Sequence, residues 1–245
     1  MNSNTSLLVF ENPGLIAYYA AQKLATLSTK FTPAKPANIA LSGGSTPKAL
    51  FKLLAEAPFS EVVQWKNLRF FWGDERIVPP DDPESNFGAA NELLFRHLPE
   101  PPMYYRVAGL LEPEEANVQY RNVLTQMVPI NEYGIPVFDW IMLGMGSDGH
   151  TASIFPGQPL QYVQDDICGL ASHPETGQKR VSFTMTVINA ARDVSFLASG
   201  AGKAEMLKRV IEEEDTTYPA AQVAPTSGGL EWCIDKAAAA LLSPK

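Results

Sequence analysis

A chain of 245 residues, 45% hydrophobic and 19% charged, has the ordinary composition of a packed soluble protein, with one large domain or two small ones. Its formal net charge of −8 argues against a nucleic-acid surface, which needs a basic stripe, but leaves room for a small anion held by a few local cations and oriented N–H groups. No apolar run approaches the roughly 20 residues that cross a bilayer. The N-terminus lacks the basic and apolar regions of a signal peptide. Two cysteines without CxxC spacing, Cys168 and Cys233, suit a reducing, cytoplasmic compartment with both side chains buried.

In chain order, the apolar run 7–10 reads as a strand and 13–31 as a helix. Residues 38–42 form a short strand that ends in Gly43-Gly44, and a helix opens near Pro47, whose fixed φ suits a first turn. The strand 68–72 runs out into Gly73-Asp74-Glu75-Arg76 and a Pro- and Asp-rich loop, before helical spacing over 86–96. Residues 113–127 form a helix with acids in its first turn, where the helix dipole favours them. Strands follow at 138–145, 180–184 and 194–198, separated by an irregular stretch over 157–177. A helix runs from the Gly200 loop to about Glu213, then a last strand over 230–234, with Asp235 as N-cap of a closing Ala-rich helix. Strands that alternate with helices and are apolar throughout predict a mostly parallel, Rossmann-like sheet with helices on both faces. The expected architecture is an α/β/α sandwich forming a single domain over 1–245.

The chemistry is expected in loops at the carboxyl ends of strands, where open α/β sheets hold their ligands. In Ser42-Gly43-Gly44-Ser45-Thr46-Pro47, two glycines, two hydroxyls and a helix N-terminus make either a phosphate cradle or a plain tight turn with a cap. The spacing and the missing Lys-Ser/Thr pair exclude a P-loop. Gly200-Ala201-Gly202-Lys203 repeats that logic with a cation, which is mildly unfavourable at a helix start unless an anion binds. In the charged run 74–76, Arg76 facing a phosphate and an acid facing sugar hydroxyls compete with a solvated loop, and Arg180 opens its strand either as a further cation or as a surface residue. His150 follows Asp148 and Gly149 in a loop too polar and glycine-rich to be core, which favours a catalytic imidazole. His97 reads as a cap or surface residue, His173 sits in a Ser-His-Pro loop with no evident partner, and the three histidines lack metal-ligand spacing.

The segments LSGGSTP at 41–47, FFWGDERIVPPDDPESN at 70–86, LGMGSDGHTASIFPG at 143–157 and the Lys203 loop resemble, in order, those of the 6-phosphogluconolactonase family, whose superfamily includes glucosamine-6-phosphate deaminase. The resemblance implies hydrolysis of 6-phosphogluconolactone to 6-phosphogluconate in the pentose phosphate pathway, on a Rossmann-like fold, with no metal or organic cofactor. By position it implies that His150 is the general base, that Gly43, Gly44, Ser45, Arg76 and Lys203, with Thr46 beside them, form the phosphate site, and that Asp74 and Asp148 lie near the sugar and the imidazole. Arg180 corresponds to a strand-end arginine. Asp148 either orients the imidazole or caps a helix starting near Thr151. Deaminases of the superfamily carry a catalytic Glu five residues after the histidine, and Phe155 stands there in this chain. The rival expectations are a sugar-phosphate deaminase or isomerase and a non-catalytic sugar-phosphate sensor. The partner expected is a small phosphosugar lactone, bound by a monomer or weak dimer without nucleic acid or membrane.

Overall fold

The computed structural model describes residues 4–243. In chain order its strands are β1 (Thr5–Phe10), β2 (Ala37–Leu41), β3 (Leu68–Trp72), β4 (Asp74–Arg76), β5 (Met103–Tyr104), β6 (Trp140–Leu143), β7 (Cys168–Ser172), β8 (Lys179–Phe183), β9 (Asp193–Ala198) and β10 (Gly229–Asp235). Its α-helices are α1 (Pro13–Ser28), α2 (Ser45–Leu54), α3 (Phe59–Val62), α4 (Asn86–Leu93), α5 (Pro113–Met127), α6 (Met185–Ala190) and α7 (Ala204–Ile211). Seven strands pair in parallel in the order β1-β10-β9-β6-β2-β3-β5.

The strand period of two explains the two cores. Leu68, Phe70 and Trp72 of β3, Ile39 and Leu41 of β2 and Trp140 and Met142 of β6 pack with α1, α2 and α4 on one face. Phe71, Ala40, Ile141 and Leu143 from the same strands pack with α5, α6 and α7 on the other. Strands buried on both faces need the continuous apolar runs seen in the sequence. The α/β/α sandwich expected from the sequence is therefore present. Cys168 and Cys233 are free and buried, and among the described residues no helix is long and apolar enough to cross a membrane.

Three expectations need correction. The run 74–76 is not a loop but β4, and the strand expected at 180–184 is β8, which lies outside the parallel sheet. With β7, drawn from the stretch expected to be irregular, they form a second sheet of order β4-β8-β7, antiparallel throughout. Gly73 joins the two sheets: its N–H donates to Leu41 O at 3.0 Å and its carbonyl accepts from Phe183 N at 2.7 Å. The closing helix does not form. Asp235 does cap, accepting from Ala238 N at 2.8 Å, but its Oδ1 also accepts from Gly200 N at 3.0 Å. Residues 236–242 remain turns and a bend, a run too short to sustain a helix on propensity alone.

The topology positions the site. From β2 the chain crosses through α2 to β3 on one side, whereas β6 leads to β9 on the other, and β2 and β6 are neighbours, with Ile39 opposite Trp140 and Ala40 opposite Ile141. A crevice opens beyond the carboxyl ends of two strands whose connections diverge. The loops that follow β2 and β6 both end there.

Candidate active site

A cleft of about 250 Å³ lies at this switch point. Its walls include Gly43, Gly44, Ser45 and Thr46 after β2, Asp74 and Arg76 on β4, His150 after β6, Arg180 on β8 and Lys203 after β9. Nine of the ten residues expected at the site thus meet in one place; the tenth, Asp148, stands behind His150. Three larger hollows, of 310, 730 and 450 Å³, contain no histidine in their walls.

His150 is held from behind. Its Nδ1 lies 2.6 Å from Asp148 Oδ1, and its backbone N–H donates to the same oxygen at 3.3 Å. A carboxylate only accepts, so Nδ1 carries the proton and a neutral ring offers Nε2 as its free base. Burial works against ionisation of Asp148, but the imidazole's hydrogen bond and charge outweigh it and bring the carboxyl down to about 2. The pair needs Gly146: a Cβ there would lie 2.1 Å from Asp148 Oδ1 and 2.2 Å from His150 Nδ1. No helix starts at Thr151. That residue bridges to Ile154 and its hydroxyl donates to Gly144 O at 2.9 Å, so Asp148 serves the imidazole rather than a helix end.

Phe155, fully buried, packs its ring 4.7 Å from that of His150 and 5.4 Å, edge-on, from that of His173. His173, for which the sequence offered no partner, also accepts the N–H groups of Glu175 and Thr176 at Nδ1, both at 3.3 Å. His97 is exposed beside a helix end, its Nε2 2.9 Å from Glu92 O.

The cations surround the other part of the cleft. Arg76 and Arg180 are direct partners across the antiparallel β4–β8 pair, an arrangement of like charges that is destabilising on its own. Arg180 is buried, with Nη1 3.3 Å from Ser153 Oγ and its guanidinium carbon 5.7 Å from the Phe155 ring centre. Burial and the Arg76 charge push its guanidinium below the usual arginine range. The Nε atoms of both arginines are buried without a hydrogen-bond partner. Lys203 is half-buried, and burial lowers its ammonium while the Asp148 charge pulls the other way. Among the described residues none of these three cations has a carboxylate within 4.0 Å. Opposite them α2 opens at Gly44 (φ 108°) with no side-chain cap, so the first-turn N–H groups of Ser45 and Thr46 stay open to an anion. Thr46 Oγ1 lies 3.1 Å from Ser199 Oγ, which ties this loop to the end of β9.

Asp74 is buried and accepts from Ser153 Oγ at 2.6 Å. Its neighbour Glu75, read from sequence only as part of a charged run, points away from the cleft. Its carboxylate accepts the N–H groups of Arg76 (2.8 Å), Asn86 (2.8 Å) and Phe87 (2.7 Å) and the Ser85 hydroxyl (3.1 Å). It thereby caps α4 from the adjacent strand and brings Asn86 into the cleft wall, where Asn86 Nδ2 donates to Asp74 O at 3.0 Å. Burial raises the Glu75 carboxyl. Glu75, Ser85, Asn86 and Ser153 lie within the segments that carry the family resemblance without standing out there, and Ser199 carried no signal beyond its residue type. Among the described residues no group of three or more His, Cys, Asp or Glu is arranged to hold a metal ion. Chemically, the cleft pairs one oriented imidazole base with an anion receptor of three cations and two backbone donors.

Residues 11–232 match the family model of glucosamine-6-phosphate isomerases/6-phosphogluconolactonase. The 6-phosphogluconolactonase of Haemophilus influenzae is 45% identical over 210 residues, 84% of this chain and 88% of its own. That of Aggregatibacter actinomycetemcomitans is 43% identical over 230 residues, 92% of this chain and 97% of its own. The solved structure of 6-phosphogluconolactonase from Trypanosoma brucei superposes with a TM-score of 0.87 at 29% identity, covering 98% of this chain and 99% of that one.

Proposed function

Because the chain belongs to the family of glucosamine-6-phosphate isomerases and 6-phosphogluconolactonases, we infer that it is a lactone hydrolase that converts 6-phosphogluconolactone to 6-phosphogluconate. The reaction belongs to the pentose phosphate pathway. The observation that carries this reading is one cleft in which a base oriented by Asp148 faces three cations that, among the described residues, have no carboxylate within 4.0 Å.

The substrate phosphate docks against the Ser45 and Thr46 N–H groups with Lys203, Arg76 and Arg180 around it. This anchors C6 and leaves the lactone carbonyl at His150. Nε2 takes a proton as water adds to C1. The tetrahedral oxyanion then collapses, the bond to the ring oxygen breaks, and the imidazolium returns its proton to that oxygen. Asp148 fixes the tautomer and stabilises the imidazolium in between. Asp74 lies near the sugar hydroxyls and, through Ser153, near Arg180. Only one acid/base group is needed. A deaminase requires a second carboxylate, and at the corresponding position the buried Phe155 ring packs against the imidazole instead. The enzyme acts as a single domain, as a monomer or weak dimer, in the cytoplasm.

The test is hydrolysis of freshly generated 6-phosphogluconolactone against the unphosphorylated lactone, with spontaneous opening subtracted. A strong preference for the phosphorylated substrate is expected. Equal rates on both would remove the phosphate anchor, and ammonia release from glucosamine 6-phosphate would move the chain to the other branch of the family.

A further inference from the structure

Two arginines that face each other must be held in place before an anion arrives, and most of what holds them lies outside the cleft. Arg180 Nη2 donates to Gln178 Oε1 at 3.1 Å. Gln178 Nε2 donates to Glu84 Oε2 at 2.7 Å. The Glu84 carbonyl in turn accepts from Arg76 Nη1 at 2.5 Å. The four residues close a ring with the cross-strand pairing of Arg76 and Arg180. The ring spans two segments far apart in sequence, the loop before α4 and the hairpin between β7 and β8. The backbone under Gln178 is fixed as well: its carbonyl accepts from His173 N at 2.9 Å and closes the hairpin.

We propose that Gln178, tethered by Glu84, is a positioning residue that presets the Arg76–Arg180 pair for the substrate's anionic group and so sets affinity for phosphorylated over unphosphorylated lactone. The proposal rests on the phosphate-anchor reading. The residue type follows from the ring's chemistry. A guanidinium only donates and a carboxylate only accepts, so the link between them must accept at one end and donate at the other, as an amide does. A glutamate at 178 would repel Glu84 and neutralise Arg180, and a lysine would repel Arg180. The amide aligns the guanidinium without cancelling its charge, which leaves that charge for an incoming oxyanion. Positioning of this kind strengthens binding by reducing what must be ordered when the ligand enters.

Steady-state kinetics with 6-phosphogluconolactone, inhibition by inorganic phosphate, and thermal melting would be compared for wild type, Gln178→Met, Gln178→Glu, Glu84→Gln and Arg180→Ala. Gln178→Met should raise KM and weaken phosphate inhibition in parallel by about three- to tenfold, the worth of a charged hydrogen bond at a part-exposed position. Its kcat should stay within about twofold and its melting temperature should not move, because a surface substitution of similar size costs little stability. Gln178→Glu should raise KM further than Gln178→Met, and Glu84→Gln, which keeps an acceptor, should stay near wild type. The proposal falls if Gln178→Met leaves KM and phosphate inhibition unchanged while Arg180→Ala raises KM, or if its whole effect is on kcat or melting. An unchanged KM in Arg180→Ala would overturn the phosphate anchor at this pair and the proposal with it.

Discussion

Replacing Asp148 by asparagine tests the link between the base and its carboxylate. The fall of the Asp148 carboxyl from its ordinary 3.8 to about 2 corresponds to roughly 2 kcal/mol of net stabilisation of its charged form at 1.36 kcal/mol per decade, the contact with His150 outweighing the cost of burial. The side chain is 47% exposed, so solvent screening leaves roughly half, about 1 kcal/mol. On the proposed mechanism the same coupling stabilises the imidazolium that forms when His150 takes a proton from water, and it is strongest in the transition state and the intermediate. In Asp148→Asn the side chain keeps its shape but loses the charge, and its amide can turn an N–H toward Nδ1, which would move the ring proton to Nε2 and silence the base. The expected result is a fall in kcat of about fivefold from the lost charge alone, and more where the amide turns. KM should change less than twofold, because Asp148 stands behind the imidazole and not in the cleft wall. A pH-stat assay suits the reaction, since hydrolysis yields an acid, with spontaneous opening subtracted at each pH. A kcat within twofold of wild type, or a loss confined to KM, would refute the role assigned to Asp148.

Three further outcomes follow from the same geometry. His150→Ala should lower kcat by about 10²–10⁴, and background-corrected hydrolysis close to wild type would remove it as the base. Glu75→Gln should destabilise the fold by about 1–3 kcal/mol in urea unfolding, because the amide turns a donor toward N–H groups that need an acceptor. The Glu75 carboxyl is raised in the fold, so its contribution is full below the unfolded value near 4.5 and is lost as pH rises through the folded value; the gap between wild type and Glu75→Gln should narrow over that window, and a gap that widens would contradict the burial argument. Inorganic phosphate should stabilise the fold by about 2.7 kcal/mol at a hundredfold excess over its dissociation constant, read as a rise in melting temperature, and an equal rise in Arg180→Ala would show that the phosphate binds elsewhere.

The parallel sheet was legible because its strands are buried on both faces and its helices are long enough to show their period. Each strand-end loop of the cleft could be read for the same reason: a glycine or hydroxyl cluster that breaks an apolar run has few structural explanations. The second sheet was not legible. β4 is three charged residues, Asp74, Glu75 and Arg76, and nothing local distinguishes such a strand from a solvated turn; its partner β8 is more than 100 positions away. Once the segment is a strand, the period of two sorts it. Asp74 and Arg76 line the cleft together and Glu75 faces the other way into the start of α4. The failed closing helix shows the converse limit, since Asp235 caps as expected while the turns after it have too little chain and packing to continue.

The second sheet is what completes the receptor. The parallel sheet alone delivers His150, Lys203 and the open end of α2 to the switch point, and these would suit many anionic ligands. β4 and β8 add two guanidiniums fixed opposite each other, at a cost in like-charge repulsion against which the charges of Asp74, Glu84 and Glu75 work. An anion that can engage both arginines, as a phosphate can with several acceptor oxygens, would relieve that repulsion further. The hydroxyl of an unphosphorylated lactone cannot do this. On the proposed reading, discrimination for the phosphorylated substrate would come from the arginine pair and the chemistry from one histidine, a division that lets affinity and turnover be tested separately at Arg180 and His150.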